Sequence, residues 1–153
     1  MAGLGSTRYE AYNLINDELV GITSAGGYWF DPTVSTDPPS PDEVLANPVL
    51  VVSFGSEIFT DVTRGHFYTS IFTIYVDGYF TKASTYLHDG CKLSQDVRRA
   101  VLAEVDSIAD DISPVTSIRL GDMDQETGWL DVDGGQVRFR QPFEIHYKTR
   151  TDW

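Results

Sequence analysis

The sequence predicts an α+β domain in which two helices pack on one face of a mainly antiparallel β-sheet. Residues 136–148 alternate between apolar and polar side chains, which indicates a strand with one buried and one solvated face. Residues 7–22 and 97–112 instead carry apolar side chains at helical spacing. At 153 residues the chain can bury a core of its own, so we expect residues 1–153 to form a single domain.

The first helix is expected to begin at Thr7, which forms a capping box with Glu10, and to end between Leu19 and Ile22. Its inward stripe comprises Tyr12, Ile15, Leu19 and Ile22. Residues 25–48 follow as a long loop, because glycine and proline recur along them, with one helical turn near residues 42–45. A loop of this length in a compact domain is more often functional than idle.

Three consecutive aromatic residues, Tyr28, Trp29 and Phe30, lie in this loop. They are expected either to dock onto a partner or to tuck against the protein's own sheet. Between these two alternatives we favour docking onto a partner.

Two strands follow the loop. Residues 49–54 form a short apolar run that predicts a buried strand, and residues 55–65 are expected to form a loop. Residues 66–76 are β-branched and aromatic on both faces, which predicts a central strand. Asp77-Gly78 then predicts a turn or bulge, after which residues 79–83 extend or return the strand.

The second half of the chain predicts one helix and two strands. Ser94 is expected to cap the helix, and Ser113-Pro114 to end it. Its inward stripe comprises Val97, Val101, Val105, Ile108 and Ile112. After the helix we expect a strand at 115–120 and a polar acidic excursion at 121–135. The closing strand at 136–148 and a short polar tail at 149–153 complete the chain. The predicted order is therefore α-β-β-α-β-β.

Charge is unevenly distributed along the chain, whose formal net charge is −12. Residues 104–133 contain nine acidic side chains and one basic one, a net charge of −8. A surface this acidic repels phosphate, which argues against a protein that binds nucleic acid tightly. It is compatible with a protein that lets nucleic acid slide past. The polar face of the closing strand is basic by contrast, with Arg138, Arg140 and Lys148, and Arg150 lies just beyond it. This stripe is either a solvated face or an interface, and in the second case it suits head-to-tail contact between copies.

Candidate catalytic and metal-binding patterns are weak. Residues 122–128 begin like a calcium loop, but Thr127 and Asp133 stand where such a loop needs glycine and glutamate. Cys91 has no recognisable catalytic partner near it in sequence, and His146 is expected on the polar face of a strand. Phosphate-loop and zinc spacings are absent from the sequence. We therefore expect no enzymatic activity, no cofactor and no metal site.

The sequence also bears on the compartment. Its single cysteine excludes a disulfide framework within the chain and fits a reducing environment. Residues 1–6 show no secretory signal, and the apolar runs are too short to span a bilayer. A soluble protein made in the cytoplasm is expected.

The order of these features resembles one protein family. An amphipathic helix beginning Arg8-Tyr9-Glu10-Ala11 leads, and a strand opening at Pro48 follows a long loop. A strand and a helix come next, at 71–76 and 97–112, and the chain closes with 126–129 and 139–147. Together they resemble the tail terminator proteins of long-tailed bacteriophages, also known as tail completion or minor tail proteins.

The resemblance implies a structural virion protein with a tail-terminator-like fold. Such a protein forms a ring, hexameric in this family, at the head-proximal end of the tail tube, where it ends tube polymerisation and offers the surface for head–tail joining. The implied partners are further copies of this chain, the tail tube protein, a head–tail connector or neck protein and, in a contractile tail, the sheath. DNA would pass through the ring without specific binding, and assembly would occur in the host cytoplasm.

The same resemblance suggests site residues. The expected subunit or tube interface comprises Arg138, Arg140, Lys148 and Arg150, with Glu57, Asp61 and Arg64 of the 55–65 loop. The expected lumen or ring edge comprises Asp122, Asp124, Glu126, Asp131 and Asp133. Reversing Arg138 and Arg140 to glutamate is predicted to abolish ring assembly while leaving the monomer folded.

Two other functions stay open at this point. One is a head–tail connector or neck protein on the portal side, which would differ in copy number and position in the particle. The other is a small ligand-binding or enzymatic α+β domain with a pocket between helices and sheet, which predicts a stable monomer or dimer.

Overall fold

The computed structural model describes residues 7–63, 67–82, 85–103, 115–121, 129–132 and 135–150. The helices are α1 (Thr7–Val20), α2 (Pro41–Ala46) and α3 (Tyr86–Ala103), with a short 3-10 helix at Ser24–Gly26. The strands are β1 (Thr33–Ser35), β2 (Val49–Thr63), β3 (Phe67–Thr81), β4 (Val115–Leu120), β5 (Trp129–Val132) and β6 (Gln136–Arg150).

These six strands form one sheet in the order β1-β2-β3-β6-β4, with β5 also paired to β6. Only the β1–β2 pair is parallel, and the other pairs in the described residues are antiparallel. β3 and β6 pair without a register shift from Phe67↔Arg150 to Thr81↔Gln136. The predicted α+β class, with a mainly antiparallel sheet and a central strand after residue 66, is confirmed.

Helices α1 and α3 cover one face of the sheet and enclose the main core. β3 contributes its even-numbered residues to this face and β6 its odd-numbered residues, as the alternation in β6 predicted. The fully buried ring of Phe143 lies in this core, as do Ile15 of α1 and Val97 of α3. Because each element buries the residues at its own period, the helical and alternating patterns converge on one core.

Helix α2 packs on the opposite face, at the end of the sheet where β2 begins and β3 ends. Its Val44 forms a second small core with Val49, Val51 and Tyr79, all of which are buried. The helical turn predicted near residues 42–45 is therefore present. The 25–48 segment is more ordered than predicted, because it also contains the 3-10 helix and β1.

Strand β2 is much longer than predicted. It continues through residues 55–63, where the sequence suggested a loop, and pairs with β3 through two register shifts. Gly55 lies at the first shift, where a Cβ would come within 2.7 Å of the Tyr75 ring and 3.0 Å of the Thr73 carbonyl oxygen. This glycine therefore permits a bulge and does not end the strand.

The prediction of a turn or bulge at Asp77-Gly78 is wrong, because both residues lie inside the continuous part of β3. Gly78 is opposite Phe139, and a Cβ on Gly78 would collide with three carbon atoms of that buried ring. Asp77 is opposite Arg140 and forms an ion pair with it. Asp77 and Gly78 indicate a turn in the sequence, but each residue type is required by its neighbour on the adjacent strand.

Helix α3 begins eight residues before the predicted cap. Ser94 lies within the helix, buried, and its hydroxyl donates to the Cys91 carbonyl oxygen at 2.9 Å. The helix starts earlier because Leu93 and Gly90 extend the buried stripe toward its N-terminus. The second half of the predicted stripe, from Val105 on, lies outside the described residues.

Two further differences concern the end of the chain. The 121–135 excursion contains β5, which pairs with the beginning of β6. The closing strand extends to Arg150, two residues into the predicted polar tail.

Replacing Gly78 with alanine is expected to lower the free energy of unfolding by about 1–3 kcal/mol, because an added methyl group overpacks the core against Phe139. Urea unfolding measures the change. Phe139→Leu removes the ring, so the double variant should recover part of the loss beyond additivity. Purely additive effects of the two substitutions would contradict the steric explanation.

Candidate assembly surface

The outer edge of β2 is open over most of its length. β1 covers only Val49, Leu50 and Val51, and the structure places no other described strand along that edge. Phe54, Ile58 and Phe59 lie on the open part, 54%, 60% and 60% exposed, and Tyr9 of α1 is 60% exposed. We call these four residues the apolar edge. An open strand edge with large exposed apolar side chains is suited to pairing with another chain.

The apolar edge is joined to the core by a row of aromatic rings. The rings of Tyr9 and Tyr12 stack at 6.2 Å, Tyr12 lies 5.2 Å from Phe54, and Phe54 lies 5.5 Å from the buried Phe72. Aromatic contacts of this kind add about 0.5–1.5 kcal/mol beyond burial and hold each ring in place. Tyr9 and Phe54 are therefore anchored to the buried Phe72 of the main core.

Alternation along β2 brings apolar side chains to both faces of the sheet at this edge. Phe59 pairs with Ser70, which belongs to the helix-facing side of β3. Ile58 pairs with Ile71, on the opposite side. As a result the edge presents apolar groups above and below the plane of its free backbone.

Glu57 lies beside the apolar edge, but its carboxylate is turned toward its own chain. Its Oε1 accepts hydrogen bonds from the hydroxyls of Ser70, at 2.5 Å, and Tyr147. Its Oε2 lies 3.2 Å from Nη1 of Arg8, a residue that is more than half exposed. Glu57 therefore fastens α1, β3 and β6 together, and the interface role predicted for it stays a prediction.

The polar face of β6 is less free than its sequence indicated. Arg140 donates from Nε and Nη2 to the two carboxylate oxygens of Asp77 at 2.8 and 2.9 Å. Its guanidinium also lies 4.5 Å from the centre of the Tyr75 ring. Hydrogen bonding to Asp77 raises the pKa of Arg140 above its ordinary value, although burial opposes this. A bidentate pair of this geometry is a structural contact.

Arg138 shares the same carboxylate only weakly. Its Nη1 lies 3.9 Å from Asp77 Oδ2, and its buried Nε has no hydrogen-bond partner among the described residues. Lys148 is exposed at the other end of β6, and Arg150 is the last residue of the strand. The structure thus separates the predicted basic stripe into an inward cluster and an exposed end.

The other predicted interface and lumen residues are only partly described. Asp61 lies in β2 and Asp131 in β5. Arg64, Asp122, Asp124, Glu126 and Asp133 lie outside the described residues.

Helix α3 holds the aromatic loop. Tyr28 and Phe30 pack against the main core, and Arg99 lies over the Tyr28 ring, 4.6 Å from its centre, while donating to the Gly27 carbonyl oxygen at 2.8 Å. Trp29 is about half exposed, and the Lys92 amine lies 5.8 Å from the centre of its ring. Two of the three aromatics therefore pack against the protein's own core, and Trp29 is the exposed one of the three, so docking onto a partner stays a prediction.

Asp96 fixes the loop from the same helix. Its Oδ2 accepts the backbone N–H groups of Trp29 at 3.0 Å and Phe30 at 3.2 Å, and its buried Oδ1 has no partner among the described residues. Burial raises the pKa of Asp96 above the usual aspartate value, while the N–H groups of Phe30 and Trp29 and the charge of Arg99 oppose the rise. The folded state therefore holds this proton at a higher pH than the unfolded state does.

This shift gives a pH dependence with a definite sign. Between the ordinary and the raised pKa the folded state binds more protons, so the contribution of Asp96 to stability falls as pH rises through that window. Asp96→Asn should remove this dependence in urea unfolding across acidic pH. Asp96→Ala leaves two N–H groups without their acceptor and should cost about 1–3 kcal/mol at every pH. Identical pH profiles for the wild type and Asp96→Asn would contradict the assignment.

The candidate catalytic side chains do not lie close to one another. His88 and Cys91 are exposed on α3, whereas His146 lies on the other face of the sheet, with Nε2 3.3 Å from Glu144 Oε1. Within the described parts of the chain, no group of three or more His, Cys, Asp or Glu side chains could hold a metal ion. The helices that are described include none long and apolar enough to cross a membrane.

Sequence reasoning missed the apolar edge. The available signal was the pair Ile58-Phe59 in an otherwise polar stretch after Gly55. Gly55 indicated a loop, and only the pairing with β3 shows that these two side chains lie on an open strand.

Comparison with known proteins found similarity among solved structures. No protein-family model matches the chain, and no curated protein matches it. Among solved structures, the chain is similar to a chain of the "Virion of native gene transfer agent (GTA) particle", with a TM-score of 0.47 and 11% sequence identity. The match covers 97% of this chain and 99% of that chain. At that score and identity, no conclusion about function follows from the similarity.

Proposed function

We propose that this protein is a non-enzymatic structural subunit of a phage-like virion, which forms a ring at the head-proximal end of the tail tube. There it would end tube polymerisation and offer the surface for head–tail joining. The observation that carries this proposal is the apolar edge, because exposed aromatic side chains along an open strand favour lasting contact with another chain.

The charge distribution supports the same function. An assembly subunit through which DNA passes must not hold the phosphate backbone, and a chain of net charge −12 repels it. The arginines on the sheet face do not contradict this, since Arg140 is bound to Asp77 and Arg138 is largely buried. The sequence resemblance to tail terminator proteins supplies the position in the particle.

Immunogold labelling of purified particles, with quantitative mass spectrometry, tests the proposal. We expect label at the head–tail junction and about six copies per particle, the number in the hexameric ring that the resemblance to tail terminator proteins implies. About twelve copies at the same place would favour a connector on the portal side. Absence of the chain from all particles would overturn the proposal.

A further inference from the structure

A cluster of two arginines and one aspartate lies on the face of the sheet opposite α1 and α3. It comprises Asp77 of β3 with Arg138 and Arg140 of β6, and Tyr79 lies directly across the strand pair from Arg138. Both carboxylate oxygens of Asp77 accept hydrogen bonds from Arg140, at 2.8 and 2.9 Å. The one negative charge of the cluster is therefore bound to Arg140, and the positive charge of Arg138 is left over.

Arg138 is the member of the cluster whose hydrogen-bonding groups are not satisfied. Its side chain is only 15% exposed, yet its Nη1 lies 3.9 Å from Asp77 Oδ2, which is too long for a hydrogen bond. Its Nε is fully buried and has no partner among the described residues, so the accessible part of the guanidinium is its Nη end. Because a largely buried cation without acceptors is costly, we expect an acceptor to reach that end.

The other described acids on this face of the sheet do not supply that acceptor. Glu144 lies in the same row of β6, roughly 20 Å from Arg138 at strand spacing, and contacts His146 at 3.3 Å instead. Asp42 and Glu43 belong to the first turn of α2, and the described part of the chain contains no ion pair between either of them and Arg138. The missing acceptor must therefore come from outside these elements.

We propose that the Nη end of Arg138 is a binding site for one carboxylate group from outside the chain. The two Nη groups form a planar fork, which a carboxylate matches with two parallel hydrogen bonds. The single positive charge left in the cluster equals the charge of one carboxylate, whereas a phosphate group carries about −1.5 to −2. A nucleic-acid backbone fits less well still, because the net charge of −12 on the whole chain repels it.

Nuclear magnetic resonance of the arginine Nε–H groups in the full-length protein tests the proposal. Sodium acetate is added at constant ionic strength, and the Arg138 signal is identified by its loss in Arg138→Lys or by through-bond correlation in the wild type. We expect this signal to shift and saturate with a Kd of the order of 10 mM, as for one charge-assisted pair. Arg119, exposed on β4, is the matched control and should show no saturating shift.

Protein concentration separates the two sources of a carboxylate. A side chain of a second copy would shift the Arg138 signal as the protein alone is concentrated, whereas a free carboxylate ion would not. Inorganic phosphate and a short DNA duplex are the comparison ligands, and saturation by either at a lower concentration than acetate would overturn the assignment. So would equal, unsaturated shifts of Arg138 and Arg119 in acetate, which indicate an adventitious ion only. None of these results bears on whether the chain is present at the head–tail junction, so the proposed function is tested separately.

Discussion

Arg140→Glu is expected to lower the free energy of unfolding of the monomer by about 3 kcal/mol, since removing one partner of a buried ion pair leaves the other charge uncompensated. Asp77 is the charge left behind, with its side chain only 6% exposed. The new carboxylate would also lie directly across the strand pair from it. Arg138 cannot replace the lost contact, because its nearest atom is 3.9 Å away and its geometry is not bidentate.

Urea unfolding of the purified monomer measures this change. Lys148→Glu is the matched control, because it makes the same charge reversal on the same face of β6 at an exposed position. It is expected to alter stability by less than about 0.5 kcal/mol. Equal effects of the two variants would mean that Arg140 behaves as an ordinary surface cation.

The geometry revises the experiment suggested by the sequence. Reversing Arg138 and Arg140 together was expected to abolish ring assembly in a folded monomer. With Asp77 between them, the double reversal would place three acids in one largely buried cluster. A loss of assembly in that variant would report unfolding, so it cannot identify an interface.

The second large effect is expected at the apolar edge. Ile58→Glu combined with Phe59→Glu should weaken self-association by about three orders of magnitude, if each side chain contributes the roughly 2 kcal/mol typical of an interface centre. The monomer should stay folded, since both side chains are about 60% exposed. Analytical ultracentrifugation over a wide concentration range, with incorporation into particles, measures the change.

Leu120→Glu serves as the control for this double variant. It puts a charge on an exposed apolar position at the other side of the sheet, on β4, and should leave association unchanged. Circular dichroism of both proteins separates loss of assembly from loss of folding. Normal assembly of the double variant would exclude the apolar edge as the contact surface.

Much of the fold was predictable because side-chain period follows directly from backbone geometry. The odd residues of β6, from Val137 to Tyr147, are all buried, as their alternation required. Ile15 and Leu19 mark the buried stripe of α1 at helical spacing. Such local patterns predict the element, its inward face and, in sum, an α+β domain.

The wrong predictions of strand and helix boundaries concern residues that favour turns or caps but are packed against residues distant in the sequence. Gly55 and Gly78 indicated breaks, yet each lies in a strand because the rings of Tyr75 and Phe139 occupy the space of a side chain. Ser94 resembled a helix cap, but the packing of Leu93 carries the helix through it. These contacts join residues far apart in the chain, so no local pattern contains them.

The candidate site divides in the same way. The sequence by itself determined the acidic character, the two faces of the closing strand and a long chain segment rich in aromatics. Only the tertiary structure decided which charges are free and which apolar residues are exposed. Arg140 meets Asp77 across a strand pair, and Phe59 lies on an edge that β1 does not reach. Exposure and pairing are properties of the assembled sheet, because they depend on which strands become neighbours.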